Sequence, residues 1–192
     1  MPVLEESVVV KQYGNGAEIK NGKNATYYYT EYVSPVGKLT IACNERSLVG
    51  LWLEGQKYFG DEILEEASRA DDITILIQTK AWLNRYFAGQ KPKISELSLE
   101  PQGSEFQQIV WKLLCEIPYG EITTYGELAR KVAVQIGKQS MSAQAVGGAV
   151  GRNPISIIIP CHRVMGADGS LTGYAGGLDK KLSLLEVERR TK

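Results

Sequence analysis

Hydrophobic and polar positions alternate in short runs through the first half of the chain and recur at helical spacing through the second. From Ala25 three segments read as strands: ATYYYTEYV, KLTIAC and SLVGLWLE, all rich in aromatic and β-branched residues. The intervening SPVG and NERS carry the residues of hairpin connections. DDITILIQTKAWLNRYFAG reads as a helix with Ile73, Ile77, Trp82 and Phe87 near one face and Gly89 as its stop. Residues 1–24 show little pattern beyond SVVV and read as an extra strand or a loose tail. The polar stretch QKPKISELSLEPQGS, with Pro92 and Pro101, places a boundary between a domain of residues 25–95 and a second of residues 102–192.

The second half reads as helices. SEFQQIVWKLLCEI opens with Ser104 and Gln107 in a capping-box relation, and PYGEITTYGELARKVA repeats the device with Thr124 and Glu127. VQIGKQSM leads from there to a short helix of small residues, SAQAVGGAV, and DKKLSLLEVERR forms the last helix. Two short helices joined by a Gly-containing turn fit a helix-turn-helix, and equally a plain helical hairpin in a small bundle.

At 43% hydrophobic and 23% charged residues the chain is built for a packed core, which excludes disorder. No apolar run approaches the roughly 18 residues that span a bilayer. The opening MPVLEESVVVKQYG lacks a basic region ahead of an apolar core, so a cytoplasmic protein without membrane association is expected. Net charge is zero, but residues 1–100 hold 11 Lys+Arg against 14 Asp+Glu, and residues 101–192 hold 11 against 8. The excess of cations in the second half permits a nucleic-acid partner without requiring one. Three scattered cysteines, Cys43, Cys115 and Cys161, point to reduced thiols, and with a single histidine they seed no zinc site. No metal or cofactor is expected.

That one histidine follows a cysteine directly, in NPISIIIPCHRV. A thiol is a strong nucleophile as the thiolate, and an imidazole nearby promotes that form. Neighbours in an extended chain point apart, so Cys161 and His162 need a turn or a bridging water to cooperate, and Pro160 favours such a break after the apolar run Ile157–Ile159. Taken alone, the dipeptide is equally a buried thiol beside a core histidine.

PYGEITTYGELA, AVGGAVGRNP, IPCHRV and GSLTGYAGGLDKKLSLLEVE, in this order, resemble the O6-alkylguanine-DNA alkyltransferases, the methylated-DNA–protein-cysteine methyltransferases. The resemblance covers the whole second half, and SPVGKLTIA with GLWLEGQKYF extends it to the family's variable N-terminal domain. It implies an α/β (α+β) fold: a small sheet-plus-helix domain, ribonuclease H-like, followed by a mostly helical domain with a DNA-binding helix-turn-helix. It implies a protein that removes the alkyl group from O6 of guanine onto its own Cys161, once per molecule and as a monomer, and leaves open whether O4 of thymine is a second source. His162 would draw the thiol proton through a water, and Glu188 would orient His162, in the logic of a hydrolytic triad. Asn153 would brace the turn before the active-site strand, and Tyr125 would donate a proton toward the guanine. Tyr174 would wall the base pocket, with N–H groups near Ala175 donating to O6 and the Val164 backbone meeting the base edge. Gly176 would leave room for groups larger than methyl.

By the same resemblance, the nucleotide flips out of duplex DNA while the small-residue helix, with Ala145, Gly147 and Gly148, enters the minor groove. Arg152, Lys131, Lys138, Arg130 and Arg163 are the candidate DNA contacts around it. One departure stands out: Gln144 occupies the place where the family commonly has an intercalating arginine. A non-catalytic lesion binder of the alkyltransferase-like kind would have tryptophan at Cys161. A Cys–His hydrolase is poorly served by adjacent residues, and an alkylation-sensing regulator would add a metal-binding cysteine module that this chain lacks.

Overall fold

A computed structural model describes residues 26–60 and 62–190; SVVV and the whole expected N-terminal extension, residues 1–24, lie outside the described residues. The three expected strands are present as β1 (Tyr28–Ser34), β2 (Gly37–Cys43) and β3 (Leu48–Leu53). Ser34 and Gly37 close the first hairpin, where Gly37 takes a φ of 108° that only glycine adopts freely. Asn44 closes the second, its Oδ1 accepting from the N–H groups of Arg46 (2.8 Å) and Ser47 (2.7 Å). Two small elements carried no hydrophobic periodicity and went unread: α1 (Ile63–Glu66) and β4 (Ser68–Arg69), which adds in parallel to β1 and completes the order β3-β2-β1-β4.

Helix α2 (Thr74–Phe87) packs across this sheet. Its buried face is Leu76, Thr79, Trp82, Leu83 and Tyr86 rather than the expected stripe, and Ile77 is half exposed. The inward residues recur at spacings of three and four, and Ile77 stands one position, about 100°, off that stripe. The chain leaves at Gly89 (φ 73°), as expected.

The polar stretch read as a boundary is strapped to the sheet. Leu48 N–H donates to Ser98 O and Glu100 N–H to Leu48 O, both at 2.8 Å, which covers part of the outer edge of β3. Farther along the same edge, Leu51 exchanges two 2.8 Å hydrogen bonds with Pro154 O and Ser156 N–H. The chain just before Cys161 is therefore stitched to the N-terminal sheet, and one apolar core runs through both halves.

The second half comprises α3 (Glu105–Cys115), β5 (Thr123–Thr124), α4 (Tyr125–Gln135), α5 (Ala143–Gly151), β6 (Val164–Met165) and α6 (Leu178–Arg190). Both predicted capping boxes form, at Ser104/Gln107 and Thr124/Glu127. β5 and β6 pair in parallel, setting the start of α4 beside the residues that follow Cys161. α3, α4 and α5 pack together, and Trp111 Nε1–H fastens α5 by donating to Ala149 O at 2.9 Å.

Candidate active site

The segment from Asn153 to Pro160 is not the strand expected before Cys161. Apart from the bridge of Ile155 to Leu51 it is a chain of tight turns, with Ile158 N–H donating to Ser156 O and Cys161 N–H to Ile159 O, each at 2.8 Å. Ile157, β-branched, sits at φ 70°, a left-handed conformation that such residues avoid unless the surroundings enforce it. Asn153 supplies the enforcement. Its Oδ1 accepts from Ile155 N–H (3.0 Å), and its amide donates to Ile159 O (2.8 Å) and to Cys161 Sγ (3.1 Å). One buried side chain thus shapes the turn and touches the sulfur.

Cys161, His162 and Arg163 form a single 3-10 turn directly after Pro160, so the chain is not extended at the Cys–His pair. His162 is sealed from solvent, and its Nε2 lies 2.7 Å from Glu188 Oε1. The carboxylate can only accept, so Nε2 carries the hydrogen and Nδ1 keeps its lone pair. Nδ1 is buried and has no hydrogen-bond partner among the described residues.

Glu188 also accepts from Arg163 Nε (2.9 Å) and an Arg163 terminal nitrogen (2.9 Å), from Gly120 N–H (2.9 Å) and from the hydroxyl of Tyr86 (2.8 Å). Burial opposes charge on Glu188, but the hydrogen bonds from His162 and Arg163 and the charge of Arg163 prevail and hold its carboxyl well below the ordinary range. Because Arg163 neutralises Glu188, His162 is not needed as a cation, and burial pushes its pKa down, leaving a neutral base. Burial likewise raises the Cys161 thiol, partly offset by the Asn153 hydrogen bond and the charge of Lys181. At rest the site holds a neutral thiol and a neutral imidazole with one free nitrogen. Cys43 and Cys115 are both pushed up to about 11 by burial and offer no competing thiolate.

Around the sulfur, the Tyr125 hydroxyl donates to Gly173 O (2.9 Å), and burial pushes its pKa up to about 12, so it remains a proton donor. The Tyr174 ring packs on the core and its hydroxyl is buried near Ser156. Ala175 O accepts from Lys57 N–H of the N-terminal half at 3.0 Å.

Two expectations need correction. Arg163 is no DNA contact: it is buried, donates to Ile117 O (2.6 Å), pairs with Glu188, and stacks over Tyr119. Gly176 leaves no open room, since a Cβ there would stand 3.0 Å from Tyr174 Cε1 and 3.1 Å from Leu53 Cδ1. The Val164 N–H donates to Cys161 O, and its carbonyl accepts from Lys181 Nζ at 2.6 Å and keeps a second lone pair for a further donor.

Gln144, Ala145 and Gly148 on α5 and Arg152 at its C-cap are exposed, while Val146, Ala149 and Val150 face the core. A Cβ on Gly148 would meet nothing within 4 Å, and one on Gly147 would reach the Tyr125 ring at 3.6 Å. Lys131, Lys138 and Arg130 are exposed nearby on α4 and the connection, and Arg152 lies over the Tyr58 ring, 4.6 Å from its centroid.

Chains of known kind share this arrangement. Residues 27–101 match the 6-O-methylguanine DNA methyltransferase ribonuclease-like domain, and residues 105–190 match the DNA binding domain of the same family. The methylated-DNA–protein-cysteine methyltransferase of Haemophilus influenzae is 42% identical over 162 residues, covering 84% of this chain and 86% of that one. The protein of the same name from Methanosarcina barkeri is 45% identical over 175 residues, covering 84% and 96%. The chain belongs to the 6-O-methylguanine DNA methyltransferase family. Its fold is similar to that of Mycobacterium tuberculosis OGT solved in complex with DNA, with a TM-score of 0.75 at 41% identity over 85% of this chain and 94% of that one. That sheet-then-helices architecture is the one expected for a methyltransferase of this family.

Sequence reasoning missed Tyr86, Gly120 and Lys181. Lys181 was open to discovery: once Glu188 is taken as facing inward, Lys181 and Leu184 fall on the same side of α6 at spacings of three and four. Tyr86 carried no such signal, because its role arises from packing across 102 residues of chain.

Proposed function

We propose that this methyltransferase repairs DNA by moving the alkyl group from O6 of a flipped-out guanine, or O4 of thymine, onto Sγ of Cys161. The observation that carries the reading is the buried chain Glu188–His162 beside Cys161, with the unpartnered His162 Nδ1 and with Asn153 on the sulfur. His162 Nδ1 takes the thiol proton through one bridging water, which gives the free nitrogen its partner and leaves Glu188 to stabilise the imidazolium. The thiolate attacks the alkyl carbon, the S–C bond forms as the C–O bond breaks, and the electron pair leaves with the base. Tyr125 turns its hydroxyl from Gly173 O to the departing guanine, so the base leaves neutral. Tyr125 recovers a proton from solvent as His162 releases one, and the net proton transfer is from thiol to guanine.

DNA lies against the exposed face of α5, with Gly148 and Ala145 permitting close approach in the minor groove and Lys131, Lys138 and Arg152 meeting phosphates. Gln144 fills the gap left by the flipped base. The product thioether offers water no carbonyl to attack, so each molecule reacts once, as a monomer in the cytoplasm and without cofactor or metal.

With excess duplex bearing one O6-methylguanine, digestion and quantification of the DNA should show one guanine restored per protein. Continued restoration beyond one equivalent would contradict the single transfer.

A further inference from the structure

The first half of the chain reaches the loop that carries Tyr174 through the turn at the end of β3. Gln56 N–H donates to Leu53 O at 3.0 Å, and Gly55 takes the left-handed φ of 74° that such a turn requires. The Gln56 side chain folds back into the interior, only 5% exposed, and its Oε1 accepts from Leu53 N–H at 3.1 Å and from the Ser156 hydroxyl at 3.0 Å. A backbone N–H can only donate, so this atom is the amide oxygen and Ser156 gives it its proton. What Ser156 Oγ offers the Tyr174 hydroxyl buried beside it is therefore a lone pair. Ser156 itself is placed by its backbone, whose N–H donates to Leu51 O at 2.8 Å. The same turn meets the loop and the start of α6 at further points: Lys57 N–H donates to Ala175 O (3.0 Å), and Lys180 Nζ donates to Glu54 O (2.9 Å).

We propose that Gln56 is a positioning residue that limits the size of the alkyl group the site accepts: through Ser156, and with the turn it braces, it holds the 174–176 loop against β3 and keeps the space beside Cys161 narrow. The inference rests on the reading of Cys161 as alkyl acceptor and deepens it by naming the lesion class, small O6-alkyl groups. The loop is hinged. Gly173 and Gly177, at φ 56° and 99°, bracket Tyr174 to Gly176, and no helix or strand holds the chain between them. At rest this wall is shut. A Cβ on Gly176 would meet Tyr174 Cε1 and Leu53 Cδ1 at 3.0 and 3.1 Å, so room for a chain longer than methyl opens when the loop leaves Leu53. Tyr174 stands near enough to Cys161 to feel charge on the sulfur, so displacing the loop changes the space in which the alkyl carbon sits. Gln56 and Ser156 are buried, and a broken link between them leaves polar atoms unpaired in the core, which gives the hold its stiffness.

The test compares wild type, Gln56→Met, Ser156→Ala and the double variant in two measurements. The first is amide hydrogen exchange of residues 172–177 without DNA; the second is the ratio of transfer rates from duplexes bearing O6-butylguanine and O6-methylguanine. Folding is checked by thermal melting. If Gln56→Met does not fold, Ser156→Ala, which keeps the backbone bond to Leu51 O, carries the test alone. The expected result is faster exchange in the loop and a butyl-to-methyl ratio raised by about threefold or more in each single variant, the loosening that one lost hydrogen bond allows. The double variant should gain little over either single one, because both remove the same link. An unmoved ratio in the folded variants would overturn the proposal, even if both transfers slowed together, because Gln56 would then be structural only. Unchanged loop exchange would overturn it equally. If wild type takes no alkyl group from either duplex while exchange still rises in the variants, the repair reading fails and the size limit with it, and the hold of Gln56 on the loop stands.

Discussion

Asn153 shows how much one side chain decides here. It accepts from Ile155, donates to Ile159 O and reaches Cys161 Sγ, so Asn153→Ala removes turn and sulfur contact together. The expected cost is about 1–3 kcal/mol in denaturant unfolding, with alkyl transfer falling further than stability alone explains. Glu188→Gln leaves Arg163 buried without its anion, which costs about 3–5 kcal/mol. It also weakens the carboxylate that stabilises a protonated His162. His162 gives a sign for pH dependence. Its folded pKa lies below the ordinary 6.5, so the unfolded chain binds the extra proton first. Stability from this group is present above about 6.5 and is lost as pH falls, at up to about 1.4 kcal/mol per pH unit; Glu188, also depressed, continues the loss at lower pH. Unfolding midpoints between pH 7.5 and 5.5 should fall in wild type and fall less steeply in His162→Gln. Cys161 and His162 drew notice as an adjacent pair, but only the resemblance set them apart from a core thiol and a core imidazole, and only it raised Glu188 above a solvated carboxylate.

Among the elements, α5 and α2 each do more than fill space. α5 presents Gly148 with open space beside it, so Gly148→Ala should raise stability by about 0.5–1 kcal/mol through helix propensity. If the helix lies against DNA, the same change weakens lesion-duplex binding; equal affinity at matched salt would contradict that placement. Gln144→Arg should tighten duplex binding, as measured by titration at fixed ionic strength. α2 carries Tyr86 into the hydrogen-bond set of Glu188. Strands and helices with clean periodicity were legible: β1 to β3, α2 to α6 and both capping boxes. The segment 153–160 was not, because its apolar run reads as a strand while its true shape depends on a side-chain network and a left-handed isoleucine. Its folding against Leu51 is a tertiary decision with no local signature.

The molecule as a whole explains why a chemically silent first half accompanies the reactive second one. Leu51 holds the chain on both sides of Ile155, Lys57 holds Ala175, and Tyr86 holds Glu188. A boundary read from polar composition marks where the sequence changes character, yet the core is shared and β3 is completed by residues that precede Cys161. Tyr86→Phe keeps the ring and removes the hydroxyl, so a slower alkyl transfer with an intact fold would show that the first half acts on the chemistry through Glu188. The most direct measurement of the central claim is the intact mass of the protein after incubation with a duplex containing one O6-methylguanine, with Cys161→Ser run beside it. The account predicts a gain of one methylene on the wild type, mapped to Cys161 and stopping at one equivalent, and none on the variant. No gain on a wild-type protein that binds the duplex, or the same gain on Cys161→Ser, would contradict it.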